Sequence, residues 1–251
     1  MDESFRSGDL KLAAHVAVPP APVAPGPVPG LVLCHGLPND PRGAATVGTT
    51  YPELADLLAR EAGWTVLTFN FRGTGTSDGD FSAAGWIDDV RAAVTELAER
   101  DGTRSVWLAG FGHGGTFAVC EAASDDRVRG VATIAAPSTL RDWARDPAYL
   151  LAHAREMDMI RSADFPRDAP RWAREIGTID AIAAARRLDG RPLLVLHGLD
   201  DTEVPVDDAR ALADAAGPIA ELRLVEAAGH RLRHDPRAIA TLLGWLHRQV
   251  T

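Results

Sequence analysis

The feature that most constrains this chain is a regular alternation between short apolar runs rich in strand-forming residues and longer amphipathic stretches with helical spacing. The apolar runs fall at 30–34, 64–71, 105–109, 128–135, 192–196 and 221–225. The helical patterns lie between and after them, at 51–62, 86–100, 116–123, 207–216 and 236–249. A strand that is apolar on both faces must be covered on both faces, so the alternation predicts a mostly parallel sheet with helices on each side. Functional groups in such sheets gather at the carboxyl ends of the strands.

Two segments stand outside the rhythm. Residues 4–18 alternate around Gly8-Asp9 as a hairpin does, and a proline-rich stretch at 19–29 follows, read as a surface connection rather than a partner-binding polyproline segment. Between 138 and 191 the pattern is helical with no convincing strand, which predicts a small helical lid inserted into the sheet domain. Hydrophobic residues make up 46% of the 251, enough to bury the core of one domain of this size.

Charge and cysteine usage narrow the function classes. The formal net charge of −9 argues against a nucleic-acid ligand, whose phosphates call for a basic face. No run approaches the roughly 18 apolar residues of a membrane span, and the first ten residues lack the apolar core of a signal peptide. The expectation is a cytoplasmic protein acting on a small molecule, with no cofactor and no membrane or nucleic-acid partner. The two cysteines, Cys34 in an apolar run and Cys120 in a helical pattern, read as reduced core thiols.

The chemistry is concentrated at a few strand ends. The run ending at Ala109 passes into Gly110-Phe111-Gly112-His113-Gly114-Gly115 and then a helix, the context of the G-x-S-x-G nucleophile elbow with glycine at its third position. Here the chain resembles the α/β-hydrolase superfamily, in particular its compact bacterial serine-hydrolase and S33-peptidase-like members. Further motifs carry the resemblance. Leu33-Cys34-His35-Gly36-Leu37-Pro38 is similar to the family's His-Gly segment, and Phe71-Arg72-Gly73-Thr74-Gly75-Thr76-Ser77 to its R-G-x-G-x-S loop. His197-Gly198-Leu199-Asp200-Asp201-Thr202-Glu203-Val204-Pro205 resembles the loop that supplies the acid, and Gly229-His230 the loop that supplies the base.

The resemblance implies a single α/β-hydrolase domain over 1–251 with a lid at about 138–191. It implies a site in which Gly112 holds the nucleophile position, Asp201 is the acid and His230 the base. Alignment on Val204-Pro205 selects Asp201 over Asp200. The backbone N–H groups of Leu37 and His113 would bind the oxyanion, and His35 and Gly36 would line the substrate site. Glycine has no hydroxyl to deprotonate, so acyl-enzyme chemistry is excluded at Gly112. The space it leaves is expected to suit a water that His230 activates directly.

Other readings of the same residues stand beside these. His35 has an ordinary role in satisfying backbone groups of its turn, and His113 contributes its N–H whatever its ring does. Convergence of His35, His113, His230 and Asp201 on a metal lacks any paired-ligand spacing, so no metal is expected. Cys34 lies within a strand, without an activating turn, and Ser138 and Thr139 are alternative hydroxyls just beyond a strand end. Three functions follow: a hydrolase for small ester- or amide-like carbonyl compounds using His/Asp general-base chemistry, a silent ligand- or partner-binding relative, or a serine hydrolase engineered from serine to glycine. The sequence does not fix the substrate or the oligomeric state.

Overall fold

The computed structural model describes residues 3–20, 26–38 and 48–249. Residues 21–25 of the proline-rich stretch therefore lie outside the described residues. Its end does not remain a loop, because Val28 and Pro29 already belong to the first parallel strand, held by a bond from the Val28 N–H to Gly102 O of 2.8 Å.

An antiparallel hairpin opens the chain, β1 (Glu3–Ser7) and β2 (Leu10–Ala17), turning at Gly8 with φ of +59°. The remaining strands are β3 (Val28–Cys34), β4 (Thr65–Phe69), β5 (Thr103–Phe111), β6 (Val128–Ile134), β7 (Leu193–Gly198) and β8 (Ala220–Val225). They form one sheet in the order β1-β2-β4-β3-β5-β6-β7-β8. β2 joins β4 antiparallel, and every pair from β4 to β8 is parallel. The central strands are apolar on both faces for the reason anticipated: Leu31, Val32, Leu33 and Cys34 are all fully buried.

Helices cover both faces. On one side α1 (Tyr51–Ala62) packs with the C-terminal α9 (Pro236–Arg248) over Leu31, Leu33, Trp64 and Trp107. On the other lie α2 (Ala83–Ala98), α3 (His113–Ala122) and α8 (Val206–Ala216) over Val32, Leu67 and Leu108. α2 starts three residues earlier than its apolar periodicity suggests, because the Ser82 hydroxyl accepts the Gly85 N–H and caps it.

Between β6 and β7 come α4 (Arg141–Arg145), α5 (Pro147–Glu156), α6 (Ala169–Gly177) and α7 (Ala181–Ala185). Asp146, Asp168 and Asp180 cap the last three with their side chains. α6 is tied down by Trp172, whose Nε1–H donates to Phe81 O at 3.1 Å. α7 packs against α3 and α8, within the helical layer of the sheet.

The strongest departure from the sequence pattern is at β5 and α3. The glycine-rich stretch reads as a loop of several residues, yet the strand continues to Phe111 and the helix begins at His113. A Cβ on Gly110 would stand 2.4 Å from Gly114 carbonyl carbon, and one on Gly114 would stand 2.3 Å from His35 O. The glycines let the helix and two strand ends pack backbone to backbone, which local propensity cannot register.

Candidate active site

With the strand and helix brought together, Gly112 alone forms the turn. Its φ of +52° and ψ of −131° lie where side chains are strained, and its N–H is held by Ile134 O at 2.8 Å. Space does not demand glycine here. Among the described residues, a Cβ at 112 would meet His230 Nε2 at 3.7 Å and Gly36 Cα at 3.8 Å, both ordinary contacts. Its neighbours differ, because a Cβ on Gly115 would stand 2.8 Å from Ala136 and Gly110, and Gly110 and Gly114 are tighter still.

Asp201 and His230 arrive from the next two loops. β7 ends at Gly198, where a Cβ would stand 2.2 Å from Ala228 O, so glycine allows the loop after β8 to pass close by. The Asp200 N–H then donates to Ala228 O at 2.9 Å and locks the two loops together. The Asp201 side chain is fully buried, and its Oδ2 accepts from His230 Nδ1 at 2.9 Å. Oδ1 of the same carboxylate accepts the N–H groups of Glu203 and Val204, each at 2.9 Å. Asp200 is exposed and its carboxylate makes no such bond to His230. With Nδ1–H donated to a carboxylate, the neutral imidazole of His230 presents Nε2 as its acceptor, facing the open position at Gly112.

A strand-turn-helix with positive φ, and a carboxylate–imidazole pair aimed at it from later loops, is a constellation that known proteins can be compared with. The family model described as the alpha/beta hydrolase fold matches residues 29–181, more than half of the chain. The chain belongs to the α/β-hydrolase family.

No curated protein matches this α/β-hydrolase by sequence. Solved structures match its fold over nearly the whole chain. Est1E from Butyrivibrio proteoclasticus, solved with ferulic acid bound, is 17% identical with a TM-score of 0.74, covering 99% of this chain and 97% of its own. The α/β-hydrolase GrgF from a Penicillium species is 21% identical with a TM-score of 0.73, covering 99% and 98%. An alpha-beta serine hydrolase homologue from Coxiella burnetii is 18% identical with a TM-score of 0.64, covering 100% and 98%. At such identities the likeness concerns the fold.

The other predicted residues of this α/β-hydrolase fall into distinct places. Gly36 stands against the turn, its Cα 3.8 Å from where a Cβ at 112 would stand, and half-buried Leu37 follows it with its side chain on the core. His113 occupies the first position of α3, where an N–H has no partner within the helix. Its ring lies 4.2 Å from that of Trp143 on α4, and burial, then the charge of His230, lower its pKa to about 3.

His35 is fully buried and already engaged at both ring nitrogens. Nδ1 lies 2.7 Å from Gly36 O, and the Phe71 N–H donates to Nε2 at 3.2 Å. The proton is therefore on Nδ1, and the ring fastens the strand-end loop of β3 to that of β4. No ring nitrogen is left over for a substrate, so its support for the site is through Gly36. Burial is the main cause that lowers its pKa to about 4.

That shift makes stability depend on acid. Between about pH 6.5 and 4 the unfolded chain protonates His35 while the folded protein resists, so the contribution is complete above that window and is lost as pH falls through it. We expect a loss of about 2 to 3 kcal/mol from this group between pH 7.5 and 4.5. Urea unfolding at both values should show a smaller pH dependence in His35→Asn, whose amide keeps a donor for Gly36 O. An equal pH dependence in the variant would assign the effect to other groups.

Ser138 donates its hydroxyl to the Asp208 carboxylate, and Thr139 forms an isolated bridge with Asp180. Cys34 and Cys120 are both free thiols, and burial pushes the first far above, and the second up to about 12 from, the ordinary thiol value. Among the described residues, no group of three or more His, Cys, Asp or Glu side chains is placed to hold a metal. Among them also, no helix is long and apolar enough to cross a membrane.

Three contributors escaped the sequence reading. His197 is fully buried beside Asp201, Glu203 places Oε2 3.9 Å from His230 Nε2, and the Arg233 guanidinium lies 4.6 Å over the Tyr51 ring. His197 and Glu203 fall inside the quoted acid-loop motif, so position relative to Asp201 was the available signal. Nothing local pairs Arg233 with Tyr51, which lie on different elements.

Proposed function

We propose that this α/β-hydrolase cleaves small ester- or amide-like carbonyl compounds by general-base chemistry, with water in place of a serine nucleophile. The observation that carries the reading is the buried Asp201–His230 pair with Nε2 only 3.7 Å from where a Cβ at 112 would stand. His230 Nε2 removes a proton from water as the water oxygen attacks the carbonyl carbon. The N–H groups of Leu37 and His113 take the developing oxyanion. Collapse of the tetrahedral species breaks the bond to the alcohol or amine, which leaves with the proton from His230.

The interval 138–191 acts as a lid of a single domain in this proposal, and the contact of Trp143 with His113 ties it to the site. A small organic ligand suits the site, as ferulic acid does Est1E and a substrate analogue does DcsB. A cytoplasmic setting belongs to the same proposal, since both cysteines are free.

A second reading, an ordinary serine hydrolase engineered to glycine, is favoured by one observation: position 112 has room for a Cβ where the flanking glycines have none. A fluorophosphonate probe bears on both. It needs an activated hydroxyl, so the protein as it stands should remain unlabelled. Labelling near one equivalent would reveal a substitute nucleophile, and peptide mapping would name it. Turnover of small esters that disappears in His230→Ala supports the water mechanism, and turnover unchanged in that variant removes it.

A further inference from the structure

Behind the Asp201–His230 pair sits a second imidazole. His197 Nε2 lies 3.0 Å from Val204 O and 3.3 Å from Asp201 Oδ2, and the side chain is 1% exposed. Both neighbours are acceptors, so Nε2 carries the proton; it donates to Val204 O and comes close to Asp201 Oδ2. Nδ1 is then a buried acceptor, and among the described residues it has no hydrogen-bond partner. Leaving such an atom unsatisfied costs stability, and fastening the loop to Val204 O does not require a ring that brings it.

Glu203 N–H, Val204 N–H and His230 Nδ1–H are hydrogen-bonded to the Asp201 carboxylate, and the His197 Nε2–H is a fourth donor group beside it, 3.3 Å from Oδ2. Oδ2 therefore faces both imidazoles. The geometry points to His197 as a positioning residue that orients the buried Asp201 carboxylate and moderates its bond to His230. The inference rests on the reading of Asp201 and His230 as the working pair. Removing the fourth donor makes the carboxylate a stronger acceptor toward the one imidazole that remains.

The test is proton NMR at low temperature on protein carrying 15N-labelled histidine, following the Nδ1–H resonance of His230. In His197→Leu that resonance should move downfield, and in His197→Gln, whose amide N–H restores a donor near the Nε2 position, it should return toward its original place. An unmoved resonance in His197→Leu overturns the proposal, because a merely structural anchor alters stability without altering that bond. Loss of the resonance in both variants overturns it too, since the ring would then be needed only to keep the loop in place. Absence of the resonance already in the unsubstituted protein, with His230 in another tautomer, refutes the Asp201–His230 pair itself and separates that failure from one of His197.

Discussion

Replacing Gly112 with serine is expected to raise hydrolysis of short activated esters by on the order of 10² to 10³-fold over the unsubstituted protein. His230 already faces the position, since a Cβ there lies 3.7 Å from its Nε2 and meets nothing closer among the described residues. The turn holds positive φ through the hydrogen bond from Gly112 N–H to Ile134 O, so the serine would be presented from a fixed backbone. Adopting that φ costs a non-glycine residue about 1 to 3 kcal/mol, and thermal unfolding of the variant should show it. Hydrolysis of p-nitrophenyl acetate and butyrate, at equal concentrations of the original protein, Gly112→Ser and Gly112→Ser with His230→Ala, measures the effect. The double variant should lose the gain and fall to or below the starting level, because a serine hydroxyl without a base is a poor nucleophile at neutral pH and the water path also uses His230. A folded serine variant with no gain would show that the oxyanion donors or His230 do not serve chemistry, and a ligand-binding role would take precedence.

In that serine background, Asp201→Asn should remove most of the gain, a loss on the order of 10² to 10³-fold, while leaving the fold intact. The reason is specific to the donors around this carboxylate. Oδ1 accepts two backbone N–H groups, from Glu203 and Val204, so the asparagine must turn its carbonyl oxygen toward them. Its NH₂ then takes the place of Oδ2 and points at His230 Nδ1, which has to become an acceptor. The imidazole switches tautomer and presents Nε2–H where a base is needed. Ester turnover and urea unfolding, measured together, distinguish this from misfolding. Turnover within tenfold of the parent would mean that Asp201 does not set the His230 tautomer.

Much of this was legible before any coordinates. The parallel sheet followed from runs such as 30–34 and 128–135, where every position must be covered and alternation is absent. The hydrogen bond between Asp201 and His230 was anticipated by the resemblance of the Val204-Pro205 and Gly229-His230 segments to family loops. Boundaries around Gly112 were less legible. Glycines at 110, 114 and 115 read as loop by their own preferences, and the close contacts with the His35 backbone and the Ala136 Cβ explain why they lie in a strand and a helix.

What the sequence determined by itself was therefore the alternation of elements, the order of the motif-bearing loops and the absence of a hydroxyl at 112, all of which are properties of neighbouring residues. Tertiary structure alone decided that His35 spends both ring nitrogens on Gly36 and Phe71, and that Ser138 gives its hydroxyl to Asp208. It also decided that His197 bonds to Val204 O beside the Asp201 oxygen that His230 uses. Hydrogen bonds of that kind join residues distant in the chain or set by the turn of a loop, and which acceptor a buried donor finds depends on packing that no local pattern encodes.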